Sequence, residues 1–383
     1  MQAMTGKERV LAALKRQDVD YVPCCPFMPI LDWTQRVGHK WQYPFGPSEQ
    51  EQLAYMVNEL GVDQIVSFSV MGSFYPEPEV SSRVWIEGSI IHKVWTTPSG
   101  ELHAAINYNE QWPHGLDIPF FSDYNPAHFA EPWIKSMKDV ACLRHILLPP
   151  RKQDDLDKLI FSFKETKSLA DKYQQPTCFY HGLGLTGALH MFGPKELCEF
   201  TITDPELVDA YLDLDHRRTM RFYEIALDFG ADFIQRNGFY ETCDFYSPAM
   251  LEKFLFNRLK DEIQLVHQAG KPIAYTLLTG IMPMLDYLAR LDFDCICAPD
   301  VFMPHADAAK IVEKLGAKKS FWTGPSDTIH MPWDNPEKVR EAMRYVFNTF
   351  GKRGLIISPV SGCRAVFPWN NVLAMVDEWK RLR

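Results

Sequence analysis

From residue 271 onward, four short apolar runs alternate with segments that are long enough to form helices. The runs cover residues 271–280, 293–300, 320–327 and 354–363, and each ends in polar residues or a cysteine. Short buried strands that alternate with amphipathic helices are typical of parallel β/α units. In such a fold, polar residues at strand ends mark the face where chemistry takes place.

The earlier part of the chain supplies four more strand-like runs, at residues 20–26, 62–70, 177–184 and 231–238. The segments between these runs have helical periodicity. They predict helices over residues 5–17, 47–60, 154–173, 186–201, 205–229, 282–291, 306–315 and 335–350. With eight strands, the simplest fold is a single (β/α)8 TIM barrel over residues 1–383 with an N-terminal helical extension. An open doubly wound sheet is the alternative.

Residues 71–150 break this alternation. Within them, residues 82–107 alternate as in an antiparallel hairpin, with residues 96–100 as its turn. A Pro- and aromatic-rich loop follows. An insertion of this kind predicts a lid over the barrel mouth.

Composition excludes several classes of function. The 383 residues include 49 acidic and 40 basic side chains, so a nucleic-acid partner is not expected. No apolar run reaches the roughly 18–20 residues of a membrane span, and no signal sequence is recognised. The nine cysteines are odd in number and lack the spacing of a disulfide framework. These features predict a cytoplasmic protein without a membrane partner.

The order of several motifs resembles the uroporphyrinogen decarboxylase superfamily. The motifs are residues 6–14 (GKERVLAAL), 20–23 (DYVP), 228–234 (DFGADFI), 247–248 (SP), 267–272 (HQAGKP) and 351–363 (GKRGLIISPVSGC), with Pro368 and Asn371 after them. The resemblance spans nearly the whole chain. It implies a (β/α)8 barrel and either decarboxylation of a porphyrinogen or methyl transfer involving a corrinoid.

The decarboxylase branch of that family carries an arginine-rich motif after its first strand and an aspartate at the end of its second. Here the corresponding residues are 27–33 (FMPILDW) and 67–72 (SFSVMG). Without an arginine cluster, the carboxylates of a porphyrinogen have no partner. Porphyrinogen decarboxylation is therefore not predicted.

The branch that methylates coenzyme M binds zinc through His-x-Cys after the fifth strand and a Cys after the eighth. Thr276, Leu278 and Cys363 stand at these positions, so two of the three ligands differ. The resemblance therefore implies the other half-reaction, demethylation of a small methylated donor, with an aryl methyl ether as the expected class. The methyl group would pass to a corrinoid on a separate protein, since no Asp-x-His-x-x-Gly motif occurs here.

For demethylation, the ether oxygen must be activated by a proton donor or by a Lewis-acid metal. Glu241 follows the fourth strand and is the first candidate for the acid or for a metal ligand; a helix-start or solvated carboxylate is the alternative. Tyr275, His181 and Asn237 are further catalytic candidates, with core packing or turn formation as alternatives. A zinc site, if present, would use Glu241, Asp300 and Cys363.

Aromatic side chains in the predicted mouth loops could hold an arene. The candidates for substrate binding are Trp33, Phe239, Tyr240, Tyr246 and Trp322, with ordinary packing as the alternative. Cys295 and Cys297 share one face of a strand and are assigned to packing. We expect Glu241, Tyr275, Asp300 and Cys363 to face one pocket.

Two other functions remain open at this point. One is decarboxylation of a small non-porphyrin acid on the same barrel. The other is a non-catalytic protein that binds a corrinoid or porphyrin. The resemblance also allows a homodimer.

Overall fold

The computed structural model of the chain describes residues 3–26, 48–110, 112, 114–121, 126–360 and 367–383. Trp33 and Cys363, to which the sequence assigned substrate and metal binding, lie outside these ranges.

Seven parallel strands form the main sheet, in the order β1, β6, β7, β8, β9, β10, β11. They are β1 (Val66–Ser69), β6 (Thr177–His181), β7 (Phe233–Asn237), β8 (Ile273–Thr276), β9 (Cys295–Cys297), β10 (Ser320–Thr323) and β11 (Leu355–Ile357). Each strand lies beside the next parallel strand along the chain, as in a barrel built from successive β/α units.

The first predicted strand closes the ring. Cys24 forms a parallel bridge with Ile357, and the Cys25 N–H donates to the Ile357 carbonyl at 2.7 Å. On the other side, Gln64 Nε2 donates to the Pro26 carbonyl at 3.3 Å. The predicted (β/α)8 barrel is therefore confirmed, with its first strand reduced to a short bridge, and the open doubly wound sheet is not the fold.

Helices lie around the wall of the barrel and across its amino-terminal end. They are α1 (Gly6–Leu14), α2 (Glu49–Ala54), α3 (Met137–Leu143), α4 (Gln153–Lys172), α5 (Gly184–Phe192), α6 (Pro194–Thr203), α7 (Pro205–Asp228), α8 (Pro248–Gln268), α9 (Leu285–Arg290), α10 (Ala308–Leu315), α11 (Pro336–Phe350) and α12 (Trp369–Leu382). The helix predicted over 186–201 is two helices, because Gly193 (φ 78°) ends α5 and Pro194 begins α6. None of the helices in the described ranges is long and apolar enough to cross a membrane.

Alternation along the strands separates two apolar layers. Inside the barrel lie Cys25, Cys178, Phe233, Ala274, Cys295, Cys297, Trp322 and Ile356. Val10, Ala13 and Leu14 of α1 belong to the same cluster, and Ser320 Oγ donates to the Leu14 carbonyl at 2.9 Å. Since Ser320 begins β10, α1 plugs the amino-terminal end of the barrel. The carboxyl-terminal end is left for a site.

The insertion forms its own antiparallel sheet of β2 (Ser81–Glu87), β3 (Ile90–Thr97), β4 (Gly100–Asn107) and β5 (Phe129–Glu131). The single predicted hairpin is wrong in one respect, because a second turn at residues 88–89 makes three full strands. The inner face of the sheet shares one apolar cluster with Val70 after β1 and with Leu185 of α5. The insertion therefore packs beside the carboxyl ends of β1 and β6.

A pH-dependent contact joins α8 to Asp294, the residue before β9. His267 Nε2 lies 2.9 Å from Asp294 Oδ2, which also accepts from the Ile273 N–H at 2.8 Å. The hydrogen bond with Asp294 raises the pKa of His267, although partial burial opposes it. A raised pKa means that the folded state favours the protonated imidazole. The stabilisation is therefore complete below the unfolded-state pKa of about 6.5 and disappears as pH rises through the folded-state value.

We expect His267→Gln to lower the urea midpoint of unfolding near pH 6 and to change it little near pH 9. Unfolding curves of both proteins at several pH values measure this difference. Parallel pH profiles of the wild type and the variant would contradict the assignment.

Candidate functional site

The interior of the barrel is open towards its carboxyl end. Ser69 is paired with Tyr180, and Tyr180 with Gln235, so these three side chains share the inner face. Ser69 is exposed, and Tyr180 and Gln235 are only half-buried, although all three point into the barrel. Solvent therefore reaches down the interior as far as Gln235.

Gln235 forms the floor of this opening. Its Nε2 donates to Thr276 Oγ1 at 3.1 Å and to Cys297 Sγ at 3.4 Å. The Cys178 thiol lies 3.8 Å from Gln235 Oε1. Burial raises the pKa of Cys178 and of Cys297, so both stay thiols at neutral pH. The floor is therefore an oriented amide without charge.

Asn237 lies on the same face at the end of β7. Its Oδ1 accepts from the Phe239 N–H at 3.2 Å, which fixes the orientation of the amide. Its Nδ2 has Met71 Sδ as an acceptor at 3.6 Å. A thioether is a weak acceptor, so an ether or phenolate oxygen would be a stronger partner for this group.

Glu241 lies in a different place, behind the strand wall. Its Oε1 accepts from the Leu185 N–H at 2.8 Å, in the first turn of α5. Its Oε2 accepts from Tyr275 Oη at 2.5 Å and from Arg236 Nη1. The side chain is 0 % exposed. Burial raises the pKa of Glu241, while Arg236 and Tyr275 act in the opposite direction.

Arg236 connects the carboxylate of Glu241 to that of Glu262. Its Nε donates to Glu262 Oε2 of α8 at 3.1 Å, and its Nη1 donates to the Asn237 carbonyl at 2.9 Å. Burial opposes ionisation of Glu262, but Arg236 and His216 hold its pKa below the usual range. One guanidinium therefore joins two buried carboxylates to the backbone of the residue that faces the opening.

The sequence predicted that Glu241 and Tyr275 would face the mouth; the structure brings them together, but on the outer side of β7 and β8. Tyr275 lies between the inward-facing Ala274 and Thr276, and it packs in the outer apolar layer. Alternation along a strand sends neighbours to opposite faces, so Tyr275 must point towards the helices. Glu241 already accepts three hydrogen bonds and is 0 % exposed, so it is enclosed by protein groups and does not reach the open interior.

His181 also points outward. It is fully buried, with its ring 5.1 Å from that of Phe222 on α7. Burial lowers the pKa of His181 well below its usual value, and Arg218 and Arg236 add to this effect. The imidazole is therefore neutral and packed among aromatic rings, outside the open interior.

Asp300 sits after β9, where its Oδ2 accepts from Ser326 Oγ at 2.6 Å and its Oδ1 from the Phe302 N–H at 3.1 Å. Burial raises the pKa of Asp300. It shares no hydrogen-bond partner with Glu241 among the contacts described. No group of three His, Cys, Asp or Glu side chains that could hold a metal occurs within the described ranges.

The residues present do not fit the zinc site implied by the resemblance. Thr276 faces the interior at the first ligand position, but a threonine hydroxyl is not among the usual zinc ligands. Leu278 offers no ligand atom, and Cys363 lies outside the described residues.

The aromatic candidates divide into three groups. Trp322 lies inside the barrel, at the level of Cys297. Phe239 and Tyr240 are half-buried in the loop after β7, where Tyr240 packs edge-on against Phe245 at 5.4 Å. Tyr246 is buried in the outer layer with the helices. Trp322 therefore points into the barrel interior, and Phe239 lies in the loop at the carboxyl end of β7.

Sequence reasoning missed Arg236 and Gln235. A signal was available for both, because each is a polar residue in a strand that was predicted to be buried in the barrel wall. A charge at such a position requires a partner, and Glu241 follows five residues later. Since the two are consecutive, one must face the helices and the other the interior.

The sequence matches the uroporphyrinogen decarboxylase (URO-D) family over residues 110–382. The chain belongs to this family.

Among solved structures, a methyltransferase from Methanosarcina mazei aligns with 99 % of this chain and 99 % of its own, at 19 % identity and a TM-score of 0.64. This similarity shows that the fold is shared over the whole length. A 3-keto-D-glucoside 4-epimerase from E. coli covers 60 % of this chain and 86 % of its own, at 11 % identity and a TM-score of 0.38. That similarity is too low to support any argument. None of the curated proteins compared with the sequence matches it.

Proposed function

We propose that this chain is a methyltransferase that takes a methyl group from a small aromatic methyl ether and delivers it to a corrinoid held by a separate protein. The observation that carries the proposal is the barrel interior, which is accessible at Tyr180 and Gln235, is also lined by the buried Asn237 and Trp322, and has no basic residue from the described strands. A porphyrinogen, with its many carboxylates, has no partner on such a wall. The full-length fold shared with a methyltransferase supports the same reading.

In the proposed reaction, the bond between the methyl carbon and the ether oxygen breaks, and its electron pair stays on the oxygen. The corrinoid supplies the nucleophile that accepts the methyl group. The chain has to bind the arene, orient the methyl group towards the mouth and stabilise the developing phenolate. We assign this last task to Asn237 Nδ2, for which an ether oxygen would replace the weak acceptor Met71 Sδ.

Glu241 is assigned a positioning role instead of the role of an acid. Its N–H donates to the Gly238 carbonyl at 2.9 Å, and its partner Arg236 donates to the Asn237 carbonyl. The backbone N–H of Glu241 and the side chain of Arg236 therefore hold the turn at residues 237–238 from behind, and the ion pair fixes the Arg236 side chain. The orientation of the Asn237 amide therefore depends on the buried ion pair.

The test follows methylcobalamin absorbance with cob(I)alamin, the purified protein and a panel of methoxybenzenes. We expect transfer with at least one donor, and a fall of about a hundredfold in the rate for Asn237→Ala, since removal of one oxyanion donor typically costs that much. Asn257→Ala, at an exposed position on α8, is the matched control and should retain the wild-type rate. If no methoxybenzene is demethylated with free or protein-bound cobalamin, the proposed function fails.

A further inference from the structure

We infer that the methyl donor carries no net charge, so that the substrates are neutral methoxyarenes and not methoxybenzoates or methoxyarylamines. This inference rests on the proposed function and adds a substrate class to it.

The inner face of the described strands is uncharged. Towards its carboxyl end it carries two amides, three hydroxyls and an indole, from Gln235, Asn237, Ser69, Tyr180, Thr276 and Trp322. Of these, Ser69, Tyr180 and Gln235 are accessible to solvent, and the other three are buried. The lower part of the interior adds only apolar residues, thiols and the hydroxyls of Ser67 and Ser320. A ligand that reaches Gln235 therefore meets hydrogen-bonding groups without a counter-ion from these strands.

One charged residue, Arg236, occurs on the described strands of the main sheet, and it points the other way. Arg236 is adjacent to both amides in sequence, and its guanidinium lies in the outer layer. There it is shared between Glu241 and Glu262 at 3.1 Å or closer. A guanidinium that is already paired with two carboxylates presents little field to the interior. Nothing on this wall thus compensates a charged donor.

An ionised group loses its hydration when it enters such an interior, and without a partner that loss is not recovered. A neutral arene loses much less, and it gains contact with Tyr180 and Trp322. The amides of Gln235 and Asn237 suit neutral acceptors such as methoxy, hydroxyl or carboxamide groups. The selectivity therefore follows from desolvation more than from shape.

The experiment uses 4-methoxybenzamide and 4-methoxybenzoate, which have nearly the same shape and differ in charge. Binding to the wild-type protein is measured by titration calorimetry, and methyl transfer to cob(I)alamin is measured separately. We expect the benzoate to bind about a hundredfold more weakly than the benzamide, since an unpaired carboxylate is costly to bury. 4-Methoxybenzylamine, the cationic member of the series, should also bind more weakly than the benzamide.

Two variants at the floor sharpen the test. Gln235→Lys should move the preference towards the benzoate by at least about tenfold, because it supplies the missing counter-ion. Gln235→Leu, the matched control without charge, should weaken binding of both ligands and leave their ratio unchanged. Thermal melting checks that each variant folds. If Gln235→Lys does not fold, the comparison of the three ligands on the wild-type protein tests the inference by itself.

Benzoate binding that equals or exceeds benzamide binding in the wild type would overturn the inference, while methyl transfer from any donor would leave the proposed function standing. If no methoxyarene binds or is demethylated, the proposed function and the inference fail together.

Discussion

Arg236→Met is expected to lower the free energy of unfolding by about 3–5 kcal/mol, the range found when one partner of a buried ion pair is removed. Arg236 is 2 % exposed and contacts Glu241 and Glu262, which are 0 % and 4 % exposed in their side chains. Methionine retains part of the volume but leaves both carboxylates without their main cation. Either of them must then be protonated or remain unpaired, and both outcomes destabilise the fold.

Chemical denaturation at neutral pH measures the effect, with Arg221→Met as the control. Arg221 pairs with Glu224 on α7 at 2.7 Å, but both side chains are close to half-exposed. An exposed pair of this kind contributes about 0–1 kcal/mol. Equal losses in the two variants would show that the buried network does not stabilise the barrel as described.

The loss of unfolding free energy in Arg236→Met should also become smaller at low pH. Burial already raises the pKa of Glu241, and it rises further once Arg236 is absent. The variant therefore becomes relatively less destabilised as pH falls through the raised values and the carboxyls take up protons. A difference in stability that is independent of pH would contradict this account.

Gly238→Ala is expected to cost about 3 kcal/mol, at the upper end of the usual cost of overpacking. A Cβ at this position would overlap the ring of Tyr275 and lie 2.9 Å from the Thr276 carbonyl oxygen and 3.0 Å from Glu241 Oε2. The carbonyl belongs to β8 and cannot move without breaking the sheet. Tyr275 cannot give way either, because its hydroxyl is bonded to Glu241 and its ring packs on Phe293 at 5.6 Å.

Gly72→Ala is the control for Gly238→Ala, since nothing lies within 4 Å of its added Cβ. We expect a change of at most about 0.5 kcal/mol there, as for surface substitutions away from special contacts. Urea unfolding measures both variants. A neutral Gly238→Ala variant would mean that the turn at 237–238 is not held against Tyr275 and Glu241.

Much of the fold could be read from the sequence alone. The strand-like runs and the helices between them are local patterns, and each is specified by residues close together in the chain. The capping box of Thr5 and Glu8 is a local pattern as well, and it occurs at the predicted helix start. The family membership rests on the order of such segments, and it too could be recognised without coordinates.

The direction of the side chains at the site was decided by the tertiary structure. Strands in a barrel are buried on both faces, so their sequences are continuously apolar and do not reveal which parity faces the interior. A shift of one residue exchanges the two faces. This is why Tyr275 and His181, chosen from the sequence for the mouth, lie behind the wall, whereas Gln235 lies inside.

Two of the three partners of Glu241 could not be inferred from the sequence pattern. Its hydrogen-bond donors come from β7, β8 and the start of α5, which are 5, 34 and 56 residues away along the chain. Local periodicity carries no information about the contacts with Tyr275 and Leu185, at separations of 34 and 56 residues. The sequence by itself determined the barrel and its order of elements. The fold decided that Glu241 would be an enclosed ion-pair partner, because only closure of the barrel brings those three donors to one carboxylate.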